Sequence, residues 1–204
     1  MANLVQGEIK LVVPGEADFL EAARYLGYAK VQPPEEEVLS LIKECSNQML
    51  EVLTPRAVYE IFELKNDGTE ISFADVKIKS KNLCVNLKDC SKVAIFASTI
   101  GPKPDALIRK YQMMDTVKAA VFQAVGAMYI EKFVEYVNGL IKEEAKKLGK
   151  DTKPRYSPGY GDVGLEVQKD FFRLLPCTKI GLTLMDTLIM SPEKSVTAFV
   201  GIKD

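Results

Sequence analysis

The stretch Val93-Ala-Ile-Phe-Ala97, followed by Ser98-Thr-Ile-Gly-Pro102, sets the architecture of this chain. A compact apolar run of this length is typical of a strand that is buried on both faces. The glycine and proline that follow mark its end. Beyond them, residues Asp105–Leu148 have the spacing of apolar side chains that a helix requires. The sequence therefore predicts a buried strand in the middle of the chain that leads into its longest helical region.

Further strands are predicted on both sides of this buried run. The turn Asn66-Asp-Gly68 separates Ala57–Leu64 from Ile71–Ile78, which predicts an antiparallel pair. The other predicted strands are apolar runs that lie close to Gly or Pro: Ile9–Val13, Lys179–Met185 and Ser195–Ile202.

Helices are predicted between these strands, over Glu16–Tyr28, Val38–Val52, Asp105–Leu148 and Leu165–Leu175. Asp105–Leu148 is long for a single globular helix, so we expect two pieces or a kink near Asp115 or Gly126. Strands and helices do not alternate regularly, which favours an α+β fold with a largely antiparallel sheet. No repeat or shift of composition marks a boundary, so residues 1–204 are predicted to form a single domain.

The composition excludes several classes of function. Lys and Arg total 27 against 28 Asp and Glu, so no excess of positive charge favours nucleic acid or an anionic membrane as a partner. The absence of histidine excludes Ser-His-Asp triads and zincin-type sites. The four cysteines form no Cys-x-x-Cys pair, so we expect reduced thiols and no metal site.

The sequence shows neither a secretory signal pattern at its N terminus nor an apolar run of about 18 residues. We therefore expect a cytoplasmic protein without a membrane partner.

Residues that are suited to ligand binding are concentrated in the segment Lys153-Pro-Arg-Tyr-Ser-Pro-Gly-Tyr-Gly-Asp162. Two prolines and two glycines give this segment a shaped backbone, and it contains no aliphatic side chain. Arg155 supplies a bidentate donor, and Tyr156 and Tyr160 supply aromatic faces. The segment is predicted to be a binding loop, with a plain connector between two helices as the alternative.

Within this loop, Gly159-Tyr-Gly-Asp-Val-Gly164 has the glycine spacing of a dinucleotide-binding fingerprint, with Asp186 about 20 residues further on. That fingerprint needs a buried parallel strand directly before its first glycine. Thr152–Pro158 contains two prolines and cannot form such a strand. An enzyme that binds NAD or flavin remains an alternative.

The segment Arg155-Tyr-Ser-Pro-Gly-Tyr160 resembles the Arg-x-x-Pro-Gly-Tyr signature of the activation (reactivation) domain of cobalamin (vitamin B12)-dependent methionine synthase. The resemblance covers residues 99–202, and the N-terminal half matches only loosely. Four further segments are similar to segments of that family: Thr99-Ile-Gly-Pro102, Glu131-Lys-Phe-Val-Glu-Tyr136, Leu182–Met190 and Ser191–Ala198.

The resemblance implies an α+β domain around a twisted antiparallel sheet flanked by helices, in agreement with the elements above. It also implies that the domain binds S-adenosylmethionine and presents its methyl group to cobalamin in the inactive cob(II) state. A flavodoxin-like or ferredoxin-like donor supplies the electron. An activation domain alone accounts for all 204 residues. We therefore expect the chain to act in trans on a cobalamin-binding methionine synthase that lacks its own activation domain.

The resemblance also implies roles for individual residues. Arg155 matches the arginine that contacts the ligand, and its planar fork suits an α-carboxylate. Glu131 matches a ligand-contacting glutamate that can pair with the α-ammonium. Ser157 and Gly159 match positions that offer backbone groups to the ligand. Tyr160 matches the tyrosine beside the reacting end, so it is both a ligand contact and the catalytic candidate.

Two departures from the family pattern limit these expectations. Where the synthase has Pro-Ala-Cys-Pro, this chain has Gly161-Asp-Val-Gly164, which leaves open whether this surface faces the corrin. The family's N-terminal ligand-contacting aspartate has no clear counterpart, and Asp18 and Asp105 are loose candidates. A non-catalytic module that binds S-adenosylmethionine or a corrinoid protein stays an alternative, as does a corrinoid methyltransferase other than methionine synthase as partner.

Overall fold

The predicted central strand lies in the middle of a five-stranded sheet in the computed structural model, which describes residues 1–9, 12–29 and 31–203. Within these residues the strands are β1 (Asn3–Gln6), β2 (Arg56–Glu63), β3 (Lys65–Asn66), β4 (Glu70–Phe73), β5 (Val76–Lys79), β6 (Cys90–Thr99), β7 (Asp151–Thr152), β8 (Thr183–Leu184), β9 (Met190–Ser191) and β10 (Ser195–Lys203). The α-helices are α1 (Glu16–Tyr25), α2 (Glu36–Leu50), α3 (Lys81–Asn86), α4 (Lys103–Met114), α5 (Thr116–Lys147) and α6 (Gln168–Leu174).

The five-stranded sheet has the order β1-β2-β6-β10-β7, and each of these neighbouring pairs is antiparallel. The side chains of residues 93–97 in β6 are 0% exposed. Because successive side chains of a strand point to opposite faces, this run is covered on both sides. Ala94 and Phe96 belong to one core cluster, while Val93 and Ile95 belong to the other. Burial on both faces explains why the run is continuously apolar.

Helices cover one face of the sheet, with α5 across it and α1, α2 and α4 packed against α5. Phe122, Tyr129 and Phe133 of α5 are fully buried in this layer. On the other face, Phe199 of β10 packs against Phe73, with ring centroids 6.0 Å apart, and against Phe171, with centroids 4.8 Å apart. The predicted α+β class with a largely antiparallel sheet and flanking helices is confirmed. Along residues 1–9, 12–29 and 31–203, no helix is both long and apolar enough to cross a membrane.

The predicted break near Asp115 is confirmed, because α4 ends at Met114 and α5 begins at Thr116. The carboxylate of Asp115 accepts a hydrogen bond from the backbone amide of Lys118 at 3.0 Å, which caps α5. Gly126, the other candidate, lies inside α5. The extended backbone of Asp115, with ψ of 99°, therefore separates α4 from α5.

The predicted pairing of Ala57–Leu64 with Ile71–Ile78 is wrong. Strand β2 pairs with β1 and β6 instead, and the turn at Asn66–Gly68 joins the short strands β3 and β4. Ala74, with φ of 49°, then bends the chain between β4 and β5. Strands β3, β4 and β5 form a separate sheet. An alternating pattern predicts a strand but does not specify its partner.

Two other predicted strands also differ from the structure. In Lys179–Met185, Ile180 ends a 3₁₀-helix and only Thr183–Leu184 forms a strand. In Ile9–Val13, residues 10 and 11 lie outside the described residues, and Val12 is buried in the core without belonging to a strand. Burial alone accounts for the apolar residues at Ile180 and Val12.

The turn between β6 and α4 yields a prediction about stability. Gly101 has φ of 91°, and a Cβ there collides with Thr54. Gly27 has a similar φ of 97° but open space around the same position. We expect Gly27→Ala to lower the free energy of unfolding by about 1–2 kcal/mol, the cost of the left-handed conformation. Gly101→Ala adds a steric clash and should cost more, as measured by urea unfolding. Equal losses in the two variants would contradict the close packing of Gly101 on Thr54.

Candidate ligand-binding site

A cavity of about 380 Å³ lies where the loop 153–162 meets α5, α6 and β10. Its lining includes Glu131, Arg155, Ser157, Tyr160, Gln168 and Met190. This volume is within the range of small-molecule sites, which is about 300–1,000 Å³. We refer to it as the main cavity.

Backbone hydrogen bonds fix the loop against the sheet. Tyr156 and Phe199 exchange two of them, at 2.8 and 2.9 Å, and the amide of Lys153 donates to the carbonyl of Gly201 at 2.8 Å. The Tyr156 hydroxyl donates to the carbonyl of Tyr160 at 3.0 Å. The first part of the loop therefore runs antiparallel alongside β10 and is anchored to it.

Arg155 is held from one side by two carboxylates of α5. Its Nη2 donates to Glu131 and its Nη1 donates to Glu135. These glutamates are four residues apart and therefore lie one turn apart on the same helix face. Two negative charges face a single positive charge. A cationic ligand group can consequently take one carboxylate while Arg155 keeps the other.

A second cavity of about 400 Å³ shares Glu131 and Arg155 with the main cavity. Its other lining residues include Asp18 and Lys132, which form an ion pair of 2.7 Å. The Arg155–Glu131 pair therefore stands between the two cavities. Of the two loose aspartate candidates, Asp18 lies beside this pair. Asp105 lines neither cavity, and its Oδ2 accepts a hydrogen bond from the Glu193 amide at 2.7 Å.

Residues 161–164, where the sequence departs from the family pattern, have a structural role of their own. The carboxylate of Asp162 accepts hydrogen bonds from the Ser80 hydroxyl and from the backbone amide of Lys81 at 2.7 Å, at the start of α3. The bond from Ser80, with smaller contributions from the amides of Lys81 and Asn82, lowers the pKa of Asp162. Asp162 therefore ties the end of the loop to α3.

The structure brings four of the five predicted ligand contacts to the main cavity: Glu131, Arg155, Ser157 and Tyr160. Gly159 is not part of the lining. Its φ of 89° bends the loop, and a Cβ there approaches Leu165 to 2.9 Å, so its glycine is needed for chain geometry. Tyr160, the catalytic candidate, is 69% exposed at the rim of the cavity.

Sequence reasoning missed two residues of the site. The motif around Glu131 gives Glu135 no role, although its spacing of four residues from Glu131 indicates that the two carboxylates share a helix face. Gln168 lines the main cavity from the first turn of α6. Nothing in the sequence around Gln168 distinguishes it from an ordinary polar helix residue.

The context required by a dinucleotide fingerprint is not found in the described residues. The segment before Gly159 is a loop that meets the sheet through an isolated antiparallel bridge between Tyr156 and Phe199. The strand pairs of the described chain are all antiparallel. Residues 1–9, 12–29 and 31–203 also contain no group of three His, Cys, Asp or Glu side chains that could hold a metal ion.

The crystal structure of the MetH reactivation domain bound to AdoHcy matches this chain with a TM-score of 0.73. The match covers 98% of this chain and 78% of that chain, at 18% sequence identity. This chain has the reactivation-domain fold. The identity is too low for the match to show more than the fold. No family model matches the sequence, and no curated protein matches it.

The tie between the loop 153–162 and α3 gives a prediction about pH. The folded-state pKa of Asp162 is lower than its unfolded value, so its ionised carboxylate stabilises the fold above the ordinary aspartate pKa of about 4. That contribution is lost as the pH falls through the folded-state pKa. We expect Asp162→Asn to be less stable than the wild type near pH 7, with a smaller difference near pH 3, in urea unfolding.

Asp186→Asn serves as the control for this experiment, because Asp186 is exposed in the turn between β8 and β9. It should follow the wild-type profile at each pH. A constant difference between Asp162→Asn and the wild type from neutral to acidic pH would contradict the role given to the Asp162 carboxylate.

Proposed function

We propose that this chain is a cytoplasmic S-adenosylmethionine-binding component that supports reductive remethylation of cob(II)alamin on a separate cobalamin-dependent methionine synthase. The partner is a synthase without its own activation domain. The contact between Arg155 and Glu131 at the main cavity carries the proposal, because it places opposite charges side by side where the loop and α5 meet. The reactivation-domain fold supports it, since the matched MetH domain was crystallised with AdoHcy.

The charges of the site suit the amino-acid end of S-adenosylmethionine. A guanidinium fork binds a carboxylate through two parallel hydrogen bonds, which fits the α-carboxylate of the ligand to Arg155. Glu131 is an acceptor for the α-ammonium group. Binding therefore exchanges one ion pair within the protein for two between protein and ligand.

Glu135 is the carboxylate that stays on Arg155 during this exchange. It lines the second cavity but not the main one, whereas Glu131 lines both. A ligand that enters the main cavity therefore meets Glu131 first. Glu135 then keeps Arg155 in place while Glu131 turns to the ligand.

Tyr160 lies at the rim, where its aromatic face suits the positively charged sulfonium of the ligand. Its exposure supports a pose in which the reacting end of the ligand lies at the surface, within reach of a cobalamin carried by another protein. When bound, S-adenosylmethionine supplies the methyl group that cob(II)alamin takes up together with an electron from a flavodoxin-like or ferredoxin-like donor. The protein's part is to bind the ligand and to orient its methyl group outwards.

The proposal predicts that calorimetric titration with S-adenosylmethionine shows binding to the wild-type chain. Arg155→Ala removes the fork that holds the carboxylate, so its affinity should fall roughly 10- to 1,000-fold. Arg173→Ala is the matched control, because Arg173 forms ion pairs with Asp75 and Asp170 and lines neither cavity. Absence of binding by the wild type, or equal losses in the two variants, would rule out the proposed site.

A second measurement separates remethylation from ligand binding alone. The chain is mixed with S-adenosylmethionine, a cob(II)alamin-loaded synthase without an activation domain, and reduced flavodoxin. The absorbance spectrum should change to that of methylcobalamin, and Arg155→Ala should slow the change at limiting ligand. If the chain binds S-adenosylmethionine and the spectrum does not change, it is a non-catalytic binding module and the proposed reactivation fails.

A further inference from the structure

Gln168 carries a buried side-chain oxygen without a hydrogen-bond partner. Across the described part of the chain, such oxygens occur on Asn86, Asp105, Asn138 and Gln168. Gln168 is the one of these four that lines the main cavity. It is 6% exposed, and the unpaired atom is Oε1 of its carboxamide.

An unpaired carboxamide oxygen in a buried position needs an explanation, because buried polar atoms in folded proteins nearly always have partners. Gln168 cannot easily turn towards bulk water. It begins α6, and Phe171 on the next turn is fully buried against Phe199, with ring centroids 4.8 Å apart. The helix is therefore held with Gln168 against the cavity.

Two of the hydroxyl groups that line the cavity donate elsewhere. Ser195 donates to the carbonyl of Pro192 at 2.7 Å, and Tyr156 donates to the carbonyl of Tyr160 at 3.0 Å. Oε1 of Gln168 has no hydrogen-bond partner among the described residues, so a ligand donor that reaches it supplies the missing hydrogen bond. Met190 and Val196 supply apolar lining beside these polar groups.

We propose that Gln168 recognises the adenine base of the ligand. Adenine presents an amino donor next to a ring-nitrogen acceptor, and a glutamine carboxamide is complementary to this pair through its oxygen and its amide group. This inference rests on the proposed function, in which the main cavity takes S-adenosylmethionine. Arg155 and Glu131 then bind the amino-acid end of the ligand, and Gln168 determines which base is accepted.

The test compares 5′-methylthioadenosine with 5′-methylthioinosine, in which an oxo group replaces the 6-amino group. Neither compound has an amino-acid end, so the comparison does not depend on Arg155. The wild-type chain should bind the adenosine compound at least about tenfold more tightly than the inosine compound. The reason is that the oxo group of the inosine compound places an acceptor against the Oε1 acceptor of Gln168. Gln168→Leu should lose most of this preference, as measured by calorimetry.

Asn138→Leu is the matched control, since it removes another amide with a buried unpaired oxygen that lines neither the main nor the second cavity. It should keep the wild-type preference between the two bases. Thermal unfolding establishes that both variants are folded, and Gln168→Met replaces Gln168→Leu if the latter is not. A preference that survives in a folded Gln168 variant overturns the inference, as does a wild-type chain that binds both compounds equally.

These outcomes are distinguishable from failure of the proposed function. If S-adenosylmethionine binds and depends on Arg155 while no base preference exists, the role of Gln168 is wrong and the proposed function stands. If the base preference exists and depends on Gln168 while S-adenosylmethionine does not bind, the proposed function is wrong and the chain is an adenosine-binding protein of another kind. Equal weakening of both compounds by Gln168→Leu means that Gln168 only shapes the cavity, which also overturns the inference.

Discussion

The packing of α5 across the five-stranded sheet is the constraint on which the site depends. Phe133 and Val137 are fully buried on the core side of this helix. Because a helix has 3.6 residues per turn, fixing these side chains also fixes the direction of Glu131 and Glu135. The loop 153–162, which follows β7 and is hydrogen-bonded alongside β10, then brings Arg155 to both carboxylates. The packing of α5 in the core therefore determines where the ion pairs form.

The ion pairs themselves contribute little to the stability of the fold. Glu135 is largely exposed and Arg155 partly so, and pairs of this kind are typically worth about 0–1 kcal/mol. By contrast, a fully buried Phe side chain contributes about 1.5–3 kcal/mol through burial alone. The carboxylates on α5 are therefore free to serve a ligand, because replacing their contacts with Arg155 does not endanger the core.

The sequence contained enough information for most of the framework. The apolar run in β6, the helical spacing of apolar residues in α5 and the break near Asp115 are local features that a pattern can reveal. The pairing of β2 with β1 and β6 could not be derived, because it depends on which strands the rest of the fold brings together.

The same limit applies to the site. A motif indicates Arg155 and Glu131, whereas the case for Gln168 depends on the folded chain, in which it lines a cavity and has a buried unpaired oxygen. Gly159 stays a predicted ligand contact, and the structure adds that it bends the loop.

The central claim is that ligand binding breaks the ion pair between Glu131 and Arg155, while Glu135 stays paired with Arg155 and keeps it in place. A crystal structure of the chain with S-adenosylmethionine tests it most directly. The account predicts the ligand in the main cavity, with its carboxylate on Arg155, its ammonium on Glu131 and Glu135 still paired with Arg155. A ligand bound elsewhere, or one bound in this cavity while Glu131 remains on Arg155, would contradict the account.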